Sequence, residues 1–297
     1  MSDHSTSEQK PIFIATQNDE GQRVDNYLLK QCKQLNKASC YKLIRKGQIR
    51  INGKRIKPMQ KLVAKDQIRV PPFVYFVDKK TVDVPKINQQ QLLQQILFED
   101  ASYLVLNKPA GLPCHTGTGH DLGVIEIMNS LPMYSNLQLA HRLDKDTSGC
   151  LLLAKNRQAL LLFQQALKQH EAKKTYIAIL TGILVKPTEV NQPLDTANRV
   201  NGIRHVKVSP SGKSAVTLFT PIKNVKNMSL VTCEIDTGRT HQIRVHAKFL
   251  GMPVRGDQLY GKPLNTLPRA LYLHAEKLSF ADIEVRAPVP KSFDLNE

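Results

Sequence analysis

Long apolar runs are missing from this chain of 297 residues, and no stretch of 18 apolar residues exists that could cross a membrane. Met1 to Lys10 is polar throughout, so no secretory signal is expected there. Cysteine is scarce. The five present (Cys32, Cys40, Cys114, Cys150 and Cys233) are scattered and contain no C-x-x-C pair. That excludes a disulfide framework or a zinc knuckle as the organising device and fits a reducing cytoplasm. Nucleotide and metal signatures are absent as well. Gly117-Thr118-Gly119 with Gly123 is neither G-x-G-x-x-G nor a P-loop and reads as a flexible loop lining a site. His241 and His246 are spaced off the i, i+4 face of a zinc helix, with no Glu between them. No metal and no cofactor is therefore expected.

Acidic residues are the other shortage. Asp and Glu total 25 against 42 Lys and Arg, a net charge of +17. Such an excess favours a polyanionic partner without saying anything about fold. Hydrophobic residues make up 41%, enough for a core, so wholesale disorder is excluded. The excess is also localised. Residues 21–70 hold 14 Lys or Arg against Asp25 and Asp66 alone, a net +12, which leaves a net +5 for the other 247 residues.

That basic segment has a readable shape. Val24, Tyr27, Leu28 and Leu35 recur at helical spacing. Ser39 is positioned to cap a second helix through Cys40, Leu43 and Ile44, ending at Gly47. Ile49-Arg50-Ile51, Asn52-Gly53 and Lys54-Arg55-Ile56 form a strong hairpin signal, and Gln67 to Val70 reads as a further strand. Together with the preceding Gly21 to Leu28, this stretch resembles the small RNA-binding domain named after ribosomal protein S-four. The resemblance implies docking on RNA backbone through Lys37, Lys42, Arg45, Lys46, Arg50, Lys54 and Arg55, since phosphate contacts supply affinity and orientation without sequence readout. The expected organisation is a flexible N-terminus over 1–20, this domain over 21–72, a Gln- and Lys-rich linker over 73–94 with a short helix near Leu92 to Ile96, and a second domain over 95–297.

In the second domain, Tyr103 to Leu106 and Leu151 to Ala154 read as buried strands, and Gln158 to Lys168 as a helix. Further strands are expected at Tyr176 to Leu180, Ala215 to Thr220, Ser229 to Ile235, Leu271 to His274 and Ile283 to Arg286, with a helix over Gln242 to Leu250. Many strands, few helices and no βαβ alternation indicate an α+β domain with a mixed, largely antiparallel sheet.

Three polar clusters interrupt the apolar pattern. His141-Arg142-Leu143-Asp144-Lys145-Asp146-Thr147-Ser148-Gly149 packs carboxylates, cations and hydroxyls into nine residues, a plausible carboxylate nucleophile as well as a plausible structural turn. Lys173 to Ala178 and Thr237 to His246 are the others. In this order, with Asn107 to Gly111, Gly256-Asp257, Tyr260-Gly261 and Leu273-His274-Ala275, they closely resemble the RluA family of pseudouridine synthases over roughly residues 95–290. The basic first domain makes the type that acts on 23S ribosomal RNA of the large subunit the nearest likeness, with transfer RNA or another ribosomal RNA hairpin as alternative targets and a non-catalytic RNA-binding ribosome-assembly factor as the alternative role.

The resemblance implies isomerisation of uridine to pseudouridine without a cofactor, by a monomer. It implies Asp144 as the catalytic carboxylate, Arg244 as its basic partner and Tyr176 as the active-site tyrosine; Asp146 is the rival carboxylate, which the resemblance disfavours. Around them it suggests Arg142 filling the space left by a flipped base, Arg239 as a phosphate contact, Leu273 as an apolar wall and His141 as a residue that orients the loop.

Overall fold

The computed structural model describes residues 12–32, 35–74, 85–116, 122–197, 199–200, 203–261 and 270–295. The glycines at 117 and 119 and residues 75–84 of the expected linker lie outside them. The chain divides into two compact units, Met1–Val82 and Asp83–Glu297.

The first unit packs α1 (Val24–Gln31) and α2 (Lys37–Arg45) on a small antiparallel sheet. Its strands are β1 (Ile12–Ile14), β2 (Arg50–Ile51), β3 (Lys54–Arg55) and β4 (Gln67–Arg69), in the order β1-β4-β2-β3. Val24, Tyr27 and Leu28 form the buried face of α1, as their spacing requires. Between β2 and β3, Asn52 and Gly53 take φ of 48° and 76°, the left-handed pair that a tight hairpin turn needs.

Two expectations are corrected here. The helix cap is Asn36 and not Ser39: the Asn36 carboxamide accepts from the Ser39 N–H at 2.8 Å, so α2 starts earlier. The segment before Gly21 is not wholly flexible, because β1 pairs with β4 and buries Phe13 and Ala15 in the core of the unit.

The second unit is built on a ten-stranded mixed sheet. Leading into it is α3 (Lys86–Leu93), earlier than the helix expected near Leu92, followed by β5 (Ile96–Glu99) and β6 (Tyr103–Lys108). Next come α4 (Val124–Asn129), β7 (Gln138–Leu139), β8 (Ser148–Ala154), α5 (Arg157–Lys168) and β9 (Lys173–Thr181). After β10 (Thr188–Asn191) the chain makes four two-residue strands: β11 (Leu194–Asp195), β12 (Arg199–Val200), β13 (Ile203–Arg204) and β14 (Lys207–Val208). It finishes with β15 (Val216–Val225), β16 (Met228–Ile235), α6 (Gln242–Phe249), β17 (Leu273–Phe280) and β18 (Ile283–Arg286). The sheet order is β10-β15-β16-β9-β17-β8-β6-β5, with β18 on β17 and β7 on β8. Among the described pairings only β8 with β17 is parallel.

Both faces of the sheet are covered, which explains the continuous apolar runs of its central strands. Leu104, Leu106, Leu151 and Leu153 face α4 and α6, while Tyr103, Val105, Leu152 and Ala154 face α5. Ala159, Leu160, Phe163 and Ala166 form the buried stripe of α5, whose first turn is capped by the Asn156 side chain. All five cysteines are free thiols in buried positions. No helix among the described residues is long and apolar enough to cross a membrane.

Phe163 is fully buried, with its ring 4.8 Å from that of Phe280. Phe163→Ala is expected to cost about 3–5 kcal/mol through lost contacts and a residual cavity, readable as a lowered midpoint in denaturant unfolding.

Candidate active site

The loop before β8 is held from several sides. Its first residue, His141, accepts the Leu152 N–H on Nε2 at 3.0 Å. The thiol of Cys114 lies 3.2 Å from the Leu143 carbonyl oxygen and 3.3 Å from the Leu143 N–H. Lys108, at the end of β6 and fully buried, donates from Nζ to the carbonyls of Pro109, Leu112 and Lys145 at 2.8, 2.8 and 2.9 Å. Burial lowers its pKa to about 8, and the three carbonyls satisfy all three ammonium protons. The loop ends at Gly149, with φ of +106° and a backbone so close to β17 that a Cβ would lie 2.2 Å from the Ala275 carbonyl oxygen. Only glycine fits there.

This scaffold presents Asp144, whose side chain is 26% exposed, enough to reach both the protein and an incoming molecule. Arg244 Nη1 donates to Asp144 Oδ2 at 3.1 Å. The other edge of that guanidinium is held by Asp257, with Nε to Oδ2 at 2.7 Å and Nη2 to Oδ1 at 2.9 Å. Asp257 is fully buried and also accepts the N–H groups of Leu259 and Tyr260 at 2.9 and 3.0 Å. Burial would discharge both members of this pair. For Arg244, the Asp257 bond and the charge of Asp144 outweigh it and hold the pKa above the ordinary value. For Asp257, the guanidinium and two backbone donors outweigh it and hold the carboxyl below its own.

His241, at φ 53° just before α6, brings Nε2 to 3.8 Å from Asp144 Oδ2 and places Nδ1 2.7 Å from the Tyr260 hydroxyl. Gln242 ties down the same turn by accepting from the Thr237 hydroxyl at 2.6 Å and donating to the Val216 carbonyl at 2.8 Å.

Tyr176 on β9 and Leu273 on β17 wall a pocket of about 60 Å³ with Asp144 and Arg244 at its polar end. Burial, then the nearby Asp144 carboxylate, raise the Tyr176 hydroxyl pKa above the ordinary phenol value. The pocket opens into a cleft of about 940 Å³ lined by Arg142, Arg239, His141 and Lys174, among others. Asp144, Tyr176, Arg244, Arg142, Arg239 and Leu273 thus converge from four separate stretches of chain. Asp146 is exposed and lines neither cavity. His246 is buried in the fold, between Thr217 Oγ1 at 2.8 Å and the Gln192 carbonyl at 3.0 Å.

The arrangement is a carboxylate held by a buried cation at the end of a small, half-apolar pocket. Comparison with known proteins says what it belongs to. A family model described as RNA pseudouridylate synthase matches residues 102–249, and an S4 domain matches residues 22–68. The ribosomal large subunit pseudouridine synthase C of Escherichia coli (strain K12) is 39% identical over 280 residues, covering 91% of this chain and 88% of that protein. The chain belongs to the RNA pseudouridylate synthase family.

The protein of the same name from Pasteurella multocida (strain Pm70) is 43% identical over 254 residues, covering 84% of this chain and 78% of that protein. Among solved structures, human RNA pseudouridylate synthase domain containing 4 superposes with a TM-score of 0.58 at 24% identity, covering 70% of this chain and 93% of that one. Human RNA pseudouridylate synthase domain containing 1 gives 0.58 at 26%, covering 67% and 86%. The architecture is that of this synthase family.

Lys108, Asp257, Tyr260 and Gln242 received no role from the sequence. The available signal was a lysine ending an apolar strand run and an aspartate in Gly256-Asp257. Neither position names its partner, because Arg244 and Asp257 meet only through the turn after α6.

In the basic unit, Lys37, Lys42, Arg45, Lys46, Lys54 and Arg55 are exposed. Arg50 differs: its Nε and Nη1 donate to the Gly47 and Gly53 carbonyls, both at 3.1 Å, so it braces the hairpin.

His141 yields a pH prediction. Burial, then the Lys174 ammonium, push its imidazole pKa from 6.5 down to about 3. A base with a lowered folded pKa loses stability as pH falls from the unfolded value towards the folded one. The His141 ring signal in NMR should therefore stay neutral from about pH 8 to 5, and its contribution to stability should decline as pH drops from about 6.5 towards 3.

Proposed function

We propose that this chain converts uridines of large-subunit ribosomal RNA to pseudouridine, with Asp144 as the catalytic carboxylate. The bond between ribose C1′ and uracil N1 breaks, the base turns, and C1′ joins C5. C5 gives up a proton and N1 gains one, so no atom is added or lost. What carries this reading is Asp144 at the polar end of a pocket of about 60 Å³, paired with Arg244 at 3.1 Å and faced by Tyr176 and Leu273.

A second carboxylate on Arg244 keeps the guanidinium from being wholly consumed by Asp144. Asp144 therefore acts as an oriented anion beside the substrate. Tyr176 and Leu273 enclose the uracil ring. Removing that base from its stack costs on the order of a few kcal/mol, and Arg142, exposed beside Asp144, offsets this by stacking on the bases left behind. Arg239 lines both cavities and contacts the strand entering the cleft. Residues 21–72 dock on RNA backbone through Lys37, Lys42, Arg45, Lys46, Lys54 and Arg55.

Asp144→Asn is expected to abolish pseudouridine formation in large-subunit ribosomal RNA while RNA affinity stays within about twofold; base-resolution mapping of the treated RNA, with a binding isotherm, checks both. Wild-type rates in that variant would overturn the reading. Replacing Lys42, Arg45 and Lys46 together by Ala should reduce the slope of log affinity against log salt by about 2–3, since each lost phosphate contact removes roughly 0.7–0.9.

A further inference from the structure

Two lysines are buried among the described residues, and they differ in one respect. Lys108 has a carbonyl acceptor for every ammonium proton. Lys174, only 6% exposed, has no hydrogen-bond acceptor and no ion-pair partner among the described residues. The carboxylate that acts on it most is Asp236, which is itself half exposed and bridged by Lys173 at 3.1 Å. Burial lowers the Lys174 ammonium to about 8, so near neutral pH most of it still carries its charge. Its Nζ still reaches solvent, and a partly desolvated cation with no close counter-charge calls for an anion at that opening.

The fold aims this cation at the cleft. Lys174 lies on β9 between β16 and β17, paired with Ile235 on one side and Leu278 on the other, so its backbone is fixed. It stands two residues before Tyr176 and therefore on the same face of the strand, about 6.7 Å along it. Both line the cleft above Asp144. Across from it is Gly238, where a Cβ would sit 3.3 Å from Lys174 Nζ, so the absence of a side chain there keeps the ammonium uncovered. Arg142, Arg239, Lys168 and His170 line the same cleft and add to the positive field.

We propose that Lys174 is the seat of a phosphodiester of the substrate strand, the one adjoining the nucleotide whose base lies against Tyr176. Because the seat is one strand step from the tyrosine, it fixes how far the backbone of that nucleotide enters the cleft. It reads no sequence, since a phosphate is the same at every nucleotide. This rests on the reading of the chain as an enzyme acting on RNA, so the test has one arm without RNA.

In that arm, the full chain labelled with 15N-lysine is titrated with inorganic phosphate at constant ionic strength. The Lys174 Nζ signal, assigned by its loss in Lys174→Arg, should shift and saturate. In the RNA arm, Lys174→Met should raise KM about tenfold, the value of one charge-assisted hydrogen bond. The slope of log KM against log salt should fall by roughly 0.7–0.9, and Lys174→Arg should restore it. An Nζ signal indifferent to phosphate, or a wild-type salt slope in Lys174→Met, overturns the seat. Wild-type protein that makes no pseudouridine overturns the functional reading instead, and the phosphate titration then decides the seat by itself.

Discussion

The guanidinium of Arg244, shared between Asp144 and Asp257, is the interaction on which the rest of the site depends. A buried arginine with one carboxylate would be a closed ion pair. With two, it becomes a fixed strut: Asp257 grips one edge through two hydrogen bonds, and the remaining Nη1 is left for Asp144. Three charges with a net of −1 then meet at the end of one small pocket. Taking one partner away from such an arrangement leaves an uncompensated buried charge, typically worth about 3–5 kcal/mol. The strut therefore couples the position of the site to the stability of the fold.

Much of the second unit can be understood as support for that strut. The parallel contact of β8 with β17 brings Ser148 and Gly149 against His274 and Ala275, which sets the end of the Asp144 loop beside Leu273. Lys108 holds the same loop through the Lys145 carbonyl. On the other side, α6 carries Arg244, and the turn at Asp257 closes over it with the Tyr260 ring 5.1 Å from the guanidinium. The two buried lysines show how context decides use. Lys108 is enclosed by backbone carbonyls and is structural, whereas Lys174 faces an open cleft.

Legibility in the sequence followed the range of each interaction. The Asn52-Gly53 hairpin, the apolar stripe of α5 and the strands Tyr103–Lys108 and Ser148–Ala154 were readable because turn chemistry and side-chain periodicity are local. The six-residue α4 was not, since it is too short to show a helical period. Asn36 and Ser39 are both good capping residues, and only the backbone at Asn36 (φ −90°, ψ 166°) makes it the cap. β1 has no sequence signature, because three residues carry too little alternation to stand out from a polar terminus.

The sequence by itself determined the charge of the small unit, the α+β class, and the identity of the polar clusters around Asp144, Tyr176 and Arg244. Those are properties of composition and short motifs. Only the tertiary structure decided that Asp257 is the second partner of Arg244, that Asp146 stays outside the pocket, that Arg50 braces a hairpin, and that Lys174 has no close partner among the described residues while Lys108 has three. Each of these depends on which residues distant in the chain are brought within about 3 Å, the range at which hydrogen bonds form. Strand order and loop closure set those distances, and neither is written in any local pattern.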